Sequence, residues 1–377
     1  MSIERLRASF AQTGHAHLNN AGVAPCSLPA IAAVQEAASA MSLGTAAMPR
    51  LIQGYDAARA TFARLVGAKT EDVSMMPTCA VAISQLALGL PLEAGDEIVT
   101  WDQEYPSNAY PWYVAARKAG GRVVVVPSEA DLRLDTDRLI AAIGARTRVV
   151  ALSWVQYQTG AVTDLARVSE ACRKVGALLA VDAIQGLGVM PFDMTALGVD
   201  AVTGGTQKWL AGPMGHGFLA LRPGLRDLLE PIVHGAMTYG TFDDLTDPGR
   251  SPRHDPLRFE PGSPLLFGAL GGAAAIEVLL DVGIDAIHAE ALRLAAKLRE
   301  GLLAHGARLL SAPLGDAPSP ITTFLPRGDV GAAARRLSAS KTSYALRAGG
   351  IRLAPHAFNT DDDIARAIEA IAASPGG

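Results

Sequence analysis

Through its central half the chain alternates short, nearly unbroken apolar runs with amphipathic stretches. DEIVTW (96–101), RVVVVP (122–127), RVVALSW (148–154), ALLAVDA (177–183), DAVTGG (200–205) and GHGFLALR (215–222) read as strands. Such β-branched or continuously apolar runs suit strands covered on both faces. Between them, residues 107–119, 135–144 and 163–176 carry the apolar spacing of helices. The alternation predicts an α/β fold with a mainly parallel sheet between layers of helices. In such folds the chemistry gathers beyond the carboxyl ends of the strands.

The last third has a different rhythm. A helical pattern from about Pro264 to His305, broken near Gly283, is followed by ARLLSA and PITTFL as short strands. A helix from Val330, a strand pair around YALR and IRLAP, and a final helix from Asp361 complete it. The pattern predicts a large domain over residues 18–275 and a smaller C-terminal α/β domain over 276–377, which residues 1–17 join.

Composition narrows the class. The chain has 377 residues, 49% of them hydrophobic, enough for a large core. A net charge of −4 leaves no basic excess for nucleic acid or an anionic membrane. No apolar run approaches the ~20 residues of a spanning helix, and the first residues, MSIERLRASFAQ, lack a signal-peptide core. The expectation is a cytoplasmic protein acting on a small molecule. Cys26, Cys79 and Cys172 are too scattered for a disulfide framework or a zinc cluster, and no metal site is expected.

Three strand ends carry candidate chemistry. The run ALLAVD closes on Asp182, with Gln185 shortly after; alone, such an Asp equally caps a turn. DAVTGG leads into TQKWLAGPMG and Lys208. Lysine is rarely buried unless paired, and the glycines let backbone approach a ligand closely. Lys208 is therefore either a Schiff-base nucleophile or an ordinary exposed loop lysine. MMPTCAVAIS ends a strand-like run at Thr78 and Cys79 and starts a helix. Its free amides and hydroxyl make either an anion site or a simple N-cap. Together, a carboxylate, a lysine and a phosphate cradle match the needs of pyridoxal 5′-phosphate. A dinucleotide is disfavoured, because no G-x-G-x-x-G follows the first strand.

In order and spacing these motifs resemble the class V aminotransferase group of fold-type I pyridoxal phosphate enzymes. That group includes cysteine desulfurases, selenocysteine lyases and isopenicillin N epimerase. The likeness runs from HLNNAGVAP to IRLAPHAFNTDDDI. It implies the fold-type I architecture, bound pyridoxal 5′-phosphate, and a homodimer with active sites shared across the interface. It implies that Lys208 forms the Schiff base, Asp182 pairs with the pyridine nitrogen and Gln185 with the ring's phenolic oxygen. Gln207 and Thr206 would serve the phosphate, along with Thr78, Cys79 and Ala80. Tyr105, in DQEYPSNAYPW, would stack on the ring where desulfurases use His. Gln156, in SWVQYQTG, stands where an Asn is usual near the ring oxygen. Ser263, in RFEPGSP, would reach the phosphate of the neighbouring subunit, and Arg352 would grip the substrate carboxylate. Arg347 is a second candidate for that carboxylate, and Asn20, in HLNNAG, would line the substrate side.

One departure matters. Desulfurases carry a nucleophilic Cys on a loop shortly before the arginine strand, and LSASKTSYALRAGGIRLAP has none. The sequence therefore predicts an enzyme that is not a cysteine desulfurase of the usual kind. The expected activity is aminotransferase-like, on an amino acid, through an external aldimine and a quinonoid. C–S or C–Se β-lysis and epimerisation are the alternatives. Epimerisation needs a second acid, for which Tyr105, His356 and His234 are candidates. A catalytically idle pyridoxal phosphate-binding protein is the reading from another class, but such a protein is expected to lose Lys208 or Asp182. The polar, Gly/Pro-rich segment 234–258 is expected to shape the pocket as a gate.

Overall fold

The computed structural model describes residues 2–240, 249–311 and 318–372. Its centre is a seven-stranded sheet. The strands are β1 (Val73–Met76), β2 (Glu97–Trp101), β3 (Arg122–Val126), β4 (Thr147–Ser153), β5 (Leu178–Asp182), β6 (Ala201–Gly205) and β7 (Gly217–Leu221). Their spatial order is β1-β7-β6-β5-β4-β2-β3. The run from β6 to β3 is parallel, and β7 is antiparallel to both β6 and β1. This is the α/β, mainly parallel architecture that the alternation predicts.

Both faces of the sheet are covered, which is why the strands read as unbroken apolar runs. Val149 and Ala151 of β4 join the core layer that holds Ile83 and Leu86 of α1 (Cys79–Gly89) and Trp112 of α2 (Pro106–Ala119). Val150 and Leu152 face the other way, onto the layer with Phe62 and Leu65 of a long helix (Met48–Val66) and Val168 of the helix Leu165–Val175. The last of these shows how local sequence sets an element. Asp164 caps its start by accepting from Arg167 N, and Gly176, at φ 74°, closes it. A residue with a side chain is strained at that angle.

A second core lies in the last third. β8 (Arg308–Leu309), β9 (Thr322–Leu325), β10 (Ala345–Arg347) and β11 (Gly350–Leu353) form an antiparallel sheet in the order β10-β11-β9-β8. Phe324, Ile351 and Leu353 pack there with Leu294, Leu298 and Ile364 from flanking helices, and Leu18 from the N-terminal segment joins them. The long helical pattern is two helices, Leu266–Val282 and Ile284–Ala304, bent by 83° at the break. Gly283, at φ 95°, makes that bend. The first helix packs on the large unit and the second on the small sheet. Among the described residues no single helix is long and apolar enough to cross a membrane.

Candidate active site

The parallel strands aim their carboxyl ends at one cleft of about 310 Å³. Asp182 is the last residue of β5, and Ser153 the last of β4. Lys208 follows β6, while Thr78 caps α1 just after β1. Asp182, Gln185, Gln207 and Lys208 line the cleft on one side. Thr78, Cys79, Ala80 and Tyr105 line it as well.

Electrostatics distinguish Lys208 from a surface lysine. Burial lowers its pKa to about 8, and the Asp182 carboxylate opposes that shift. Its Nζ lies 5.7 Å from the centre of the Tyr105 ring. Asp182 is buried too, and burial pushes its pKa up from the usual carboxylate value. Ile184 N donates to Asp182 Oδ1 at 3.0 Å, and the Cys79 thiol donates to the same oxygen at 3.4 Å. Burial holds the Cys79 thiol well above its ordinary pKa, so it stays protonated.

The donor set fits pyridoxal phosphate. A buried carboxylate at the floor calls for a cation, which a protonated pyridine nitrogen supplies. Thr78 Oγ1 accepts from Val81 N at 3.1 Å, while the amides of Cys79 and Ala80 open the helix without an intrahelical acceptor. Gly217 keeps this turn open. A Cβ there would sit 2.9 Å from Cys79 N and 2.7 Å from Gly204 O. Gln185 donates from Nε2 to Ala21 O at 3.0 Å and accepts at Oε1 from Trp209 Nε1 at 3.0 Å. Only its second amide N–H is free for a ring oxygen.

The second sheet brings two arginines, Arg352 and Arg347, near enough to Lys208 that both favour its neutral form. Arg352, on β11, is buried, and burial brings its pKa down to about 10. Its guanidinium donates to Tyr157 O and, at 3.3 Å, to Asn19 Oδ1, and its Nε has no partner. Arg347 lies over the Tyr157 ring, 5.9 Å from its centre. Tyr157 in turn meets Tyr105 edge-on at 5.1 Å.

Several expected residues stand elsewhere. Thr206 is fully buried and donates its hydroxyl to Pro213 O and His216 O, so it braces the lysine loop instead of facing the cleft. Asn20 donates to Ala354 O at 2.8 Å, and its neighbour Asn19 is the one that reaches Arg352. Gln156 is fully buried behind the cleft wall and donates from Nε2 to Glu104. Ser263 is exposed in the turn before Leu266. His356 is buried with its pKa lowered to about 4 by burial, and its Nε2 sits 3.1 Å from Trp209 O. His234 pairs with the Tyr239 hydroxyl at 2.7 Å. The middle of the expected gate, residues 241–248, lies outside the described residues. Sequence reading missed Asn19, Tyr157, Ser153 and Glu104. The adjacent Glu104-Tyr105 pair was the available signal for the last of these.

The fold and this cleft define a pyridoxal phosphate enzyme of fold-type I. The chain belongs to the aminotransferase class-V family, whose model matches residues 18–356. Over 328 residues it is 29% identical to the uncharacterized aminotransferase YcbU of Bacillus subtilis, covering 85% of this chain and 84% of that protein. It is 32% identical to a probable cysteine desulfurase of Pseudomonas putida, over 77% of this chain and 75% of that one. The crystal structure of the cysteine desulfurase CsdA from Escherichia coli superposes with a TM-score of 0.88 at 25% identity, over 98% of both chains. Pyridoxal 5′-phosphate is accordingly the cofactor, and the activity is that of an amino-acid C–S lyase or transferase.

These relatives correct one expectation. The missing cysteine before Arg352 led to a prediction that the chain is not a cysteine desulfurase of the usual kind. Relatives in both sequence and fold are named cysteine desulfurases or probable cysteine desulfurases, so that prediction is overturned. One absent side chain on a single loop weighed too heavily against a likeness spread over most of the chain.

Proposed function

We propose that the protein cleaves the carbon–sulfur bond of a sulfur-bearing α-amino acid, with Lys208 moving the proton at Cα. The observation that carries this reading is one cleft holding a half-buried amine, whose pKa desolvation lowers to about 8, and the buried carboxylate of Asp182. Pyridoxal phosphate, when bound, supplies the electron sink for breaking bonds at Cα. Asp182 would face the ring nitrogen and keep it protonated. Thr78 and the amides of Cys79 and Ala80 would hold the phosphate, with Gln207 beside them and Ser263 reaching in from a second subunit. Tyr105 would cover the ring. Lys208, poised near neutrality, would take the Cα proton and pass it on. Arg352 would fix the carboxylate and so set which bond at Cα lies over the ring. The names of the relatives favour sulfur as the leaving atom.

Transamination is the second reading. It is favoured by the presence of one well-placed base, since a lysine on one side of the ring can return the proton to the cofactor from the side it left. Of the candidate second acids that epimerisation needs, His356 is committed to Trp209 O and held neutral.

A product survey decides between these readings. The holoenzyme is given L-cysteine and L-cystine with a small thiol as sulfur acceptor, and sulfur-free amino acids with a keto-acid acceptor. The expected result is release of sulfur, with alanine or pyruvate as the carbon product, from the sulfur amino acids alone. Keto acids formed from sulfur-free substrates without any sulfur release would overturn it. Arg352→Ala should raise KM roughly tenfold or more with a smaller change in kcat; an unchanged KM would move the carboxylate site elsewhere.

A further inference from the structure

A second cavity, of about 570 Å³, opens at the other end of the central sheet. Leu178, the first residue of β5, and Asp200, just before β6, line it. From there the two strands run to Asp182 and to the loop of Lys208, so cavity and cleft lie at opposite ends of the same strands. The five residues of β5 span about 13 Å, and no residue lines both sites.

The floor is apolar and the walls are tied together. Cys172, Ala177, Met194, Val199 and Leu221 line the floor, and all are buried. Ser169 donates its hydroxyl to Gly198 O at 2.7 Å. Gly198, at φ 66°, makes room for that contact, since a Cβ there would sit 2.4 Å from Ser169 Oγ. Thr195 donates to Gly67 O at 2.9 Å, and Asp200 accepts from Leu179 N at 2.8 Å. The cavity is therefore preformed and of a size suited to a small molecule, and a ligand entering it orders little of the protein.

The charges around it select the ligand. Asp200 pairs with Arg222, and Asp72 faces Arg226 at 3.6 Å. Lys69 lies 4.0 Å from Glu71. Arg173 differs from these: among the described residues its guanidinium has neither an ion pair nor a hydrogen bond. Glu170, on the same helix, pairs instead with Lys174 at 2.9 Å. An unpaired arginine on open surface is ordinary, but this one stands where an apolar floor meets water and both lining carboxylates are engaged. An anion would find a free, potentially bidentate donor there, whereas an amine would find no free carboxylate.

We propose that this cavity is a second ligand site, which takes a small carboxylic acid bearing an apolar chain or ring: Arg173 holds the carboxylate and the apolar part lies on the floor of Cys172, Met194, Val199 and Leu221. The site is separate from the cleft and stands whichever bond the enzyme breaks there.

Octanoate is the probe, titrated calorimetrically into the holoenzyme, with 1-octanol and octylammonium as its neutral and cationic counterparts. Octanoate should saturate one site per chain with a Kd of about 1 mM or below, the range for a ligand of this size. The other two probes should bind about tenfold more weakly. Arg173→Ala should weaken octanoate about tenfold and leave 1-octanol unchanged, as expected for one charge-assisted contact. Lys174→Ala removes the same charge from the next residue, which does not line the cavity, and should change the Kd less than about twofold. Ala68→Phe, which fills the cavity, should abolish binding of both octanoate and 1-octanol while turnover persists. Arg173 is exposed, so its replacement still tests the site if Ala68→Phe fails to fold. No saturable binding, equal affinity for the three probes, or equal losses in Arg173→Ala and Lys174→Ala would each overturn the proposal. So would a shift of the cofactor absorbance with competition against the amino-acid substrate, which would put the acid in the catalytic cleft.

Discussion

A single amine shows how residue chemistry follows from placement. Burial costs the charged form of Lys208 its hydration, and Asp182 returns part of that loss by attraction. The net result is a pKa of about 8, against 10.5 for an unperturbed lysine. The sign is that of a depressed base, so the neutral, nucleophilic amine prevails above about pH 8. Covalent attachment of pyridoxal phosphate to the cofactor-free protein should therefore speed up about tenfold per pH unit below that midpoint and level off above it. Stopped-flow absorbance across roughly pH 6 to 10, about two units either side of that midpoint, measures this directly. A rate still climbing at pH 10 would show a lysine exposed to water. Asp182→Ala should move the midpoint lower, since it removes the attraction that opposes burial, while leaving little turnover because the ring nitrogen loses its counter-charge.

Between elements, the clearest tie is Glu260. Its carboxylate accepts from the Tyr55 hydroxyl at 2.8 Å, from Met75 N at 2.8 Å and from the Arg59 guanidinium. It thereby locks the helix Met48–Val66, strand β1 and the segment leading to Ser263 into one unit. Both charged side chains are nearly buried, with exposures of 7% and 6%. Glu260→Ala leaves Arg59 charged in the core without an anion, at a cost of about 3–5 kcal/mol. Urea unfolding reads this, and a loss under about 1 kcal/mol would show that water reaches Arg59 in the variant. This tie was not visible in the chain order, since Arg59 and Glu260 are distant in sequence and each reads as a surface charge. The strands were visible, because strands buried on both faces leave an apolar signature that no tertiary detail can erase. The same logic made Asp182, Gln185 and Lys208 readable, each falling where such a run stops. Thr206 and Asn20 were misplaced for the converse reason. Within one short motif, the backbone's local turn decides which of two neighbouring polar side chains faces the cleft, and residue type does not encode that. Thus Asn19, not Asn20, meets Arg352, and Thr206 spends its hydroxyl inside its own loop.

For the whole molecule, the open question is whether one chain makes a complete site. Met214 lines the cleft yet is 70% exposed, and Phe267, on the helix just past Ser263, is 44% exposed. Apolar side chains in that state around a ligand site suit burial against a second copy. We propose a homodimer in which Ser263 serves the partner's phosphate. Sedimentation velocity should then report twice the chain mass, but subunit mixing tests the sharing itself. Lys208→Ala removes the amine from its own cleft, and Ser263→Asp sets a negative charge against the phosphate of the other cleft. Each homodimer should be nearly inactive. A mixed dimer contains one cleft with both Lys208 and a wild-type Ser263 from the opposite chain. Random mixing makes about half the dimers mixed, each with one intact site, so about a quarter of wild-type activity should return. If Ser263 acts within its own chain, no intact site forms in any dimer that contains only these two variants beyond those already present, and mixing restores nothing.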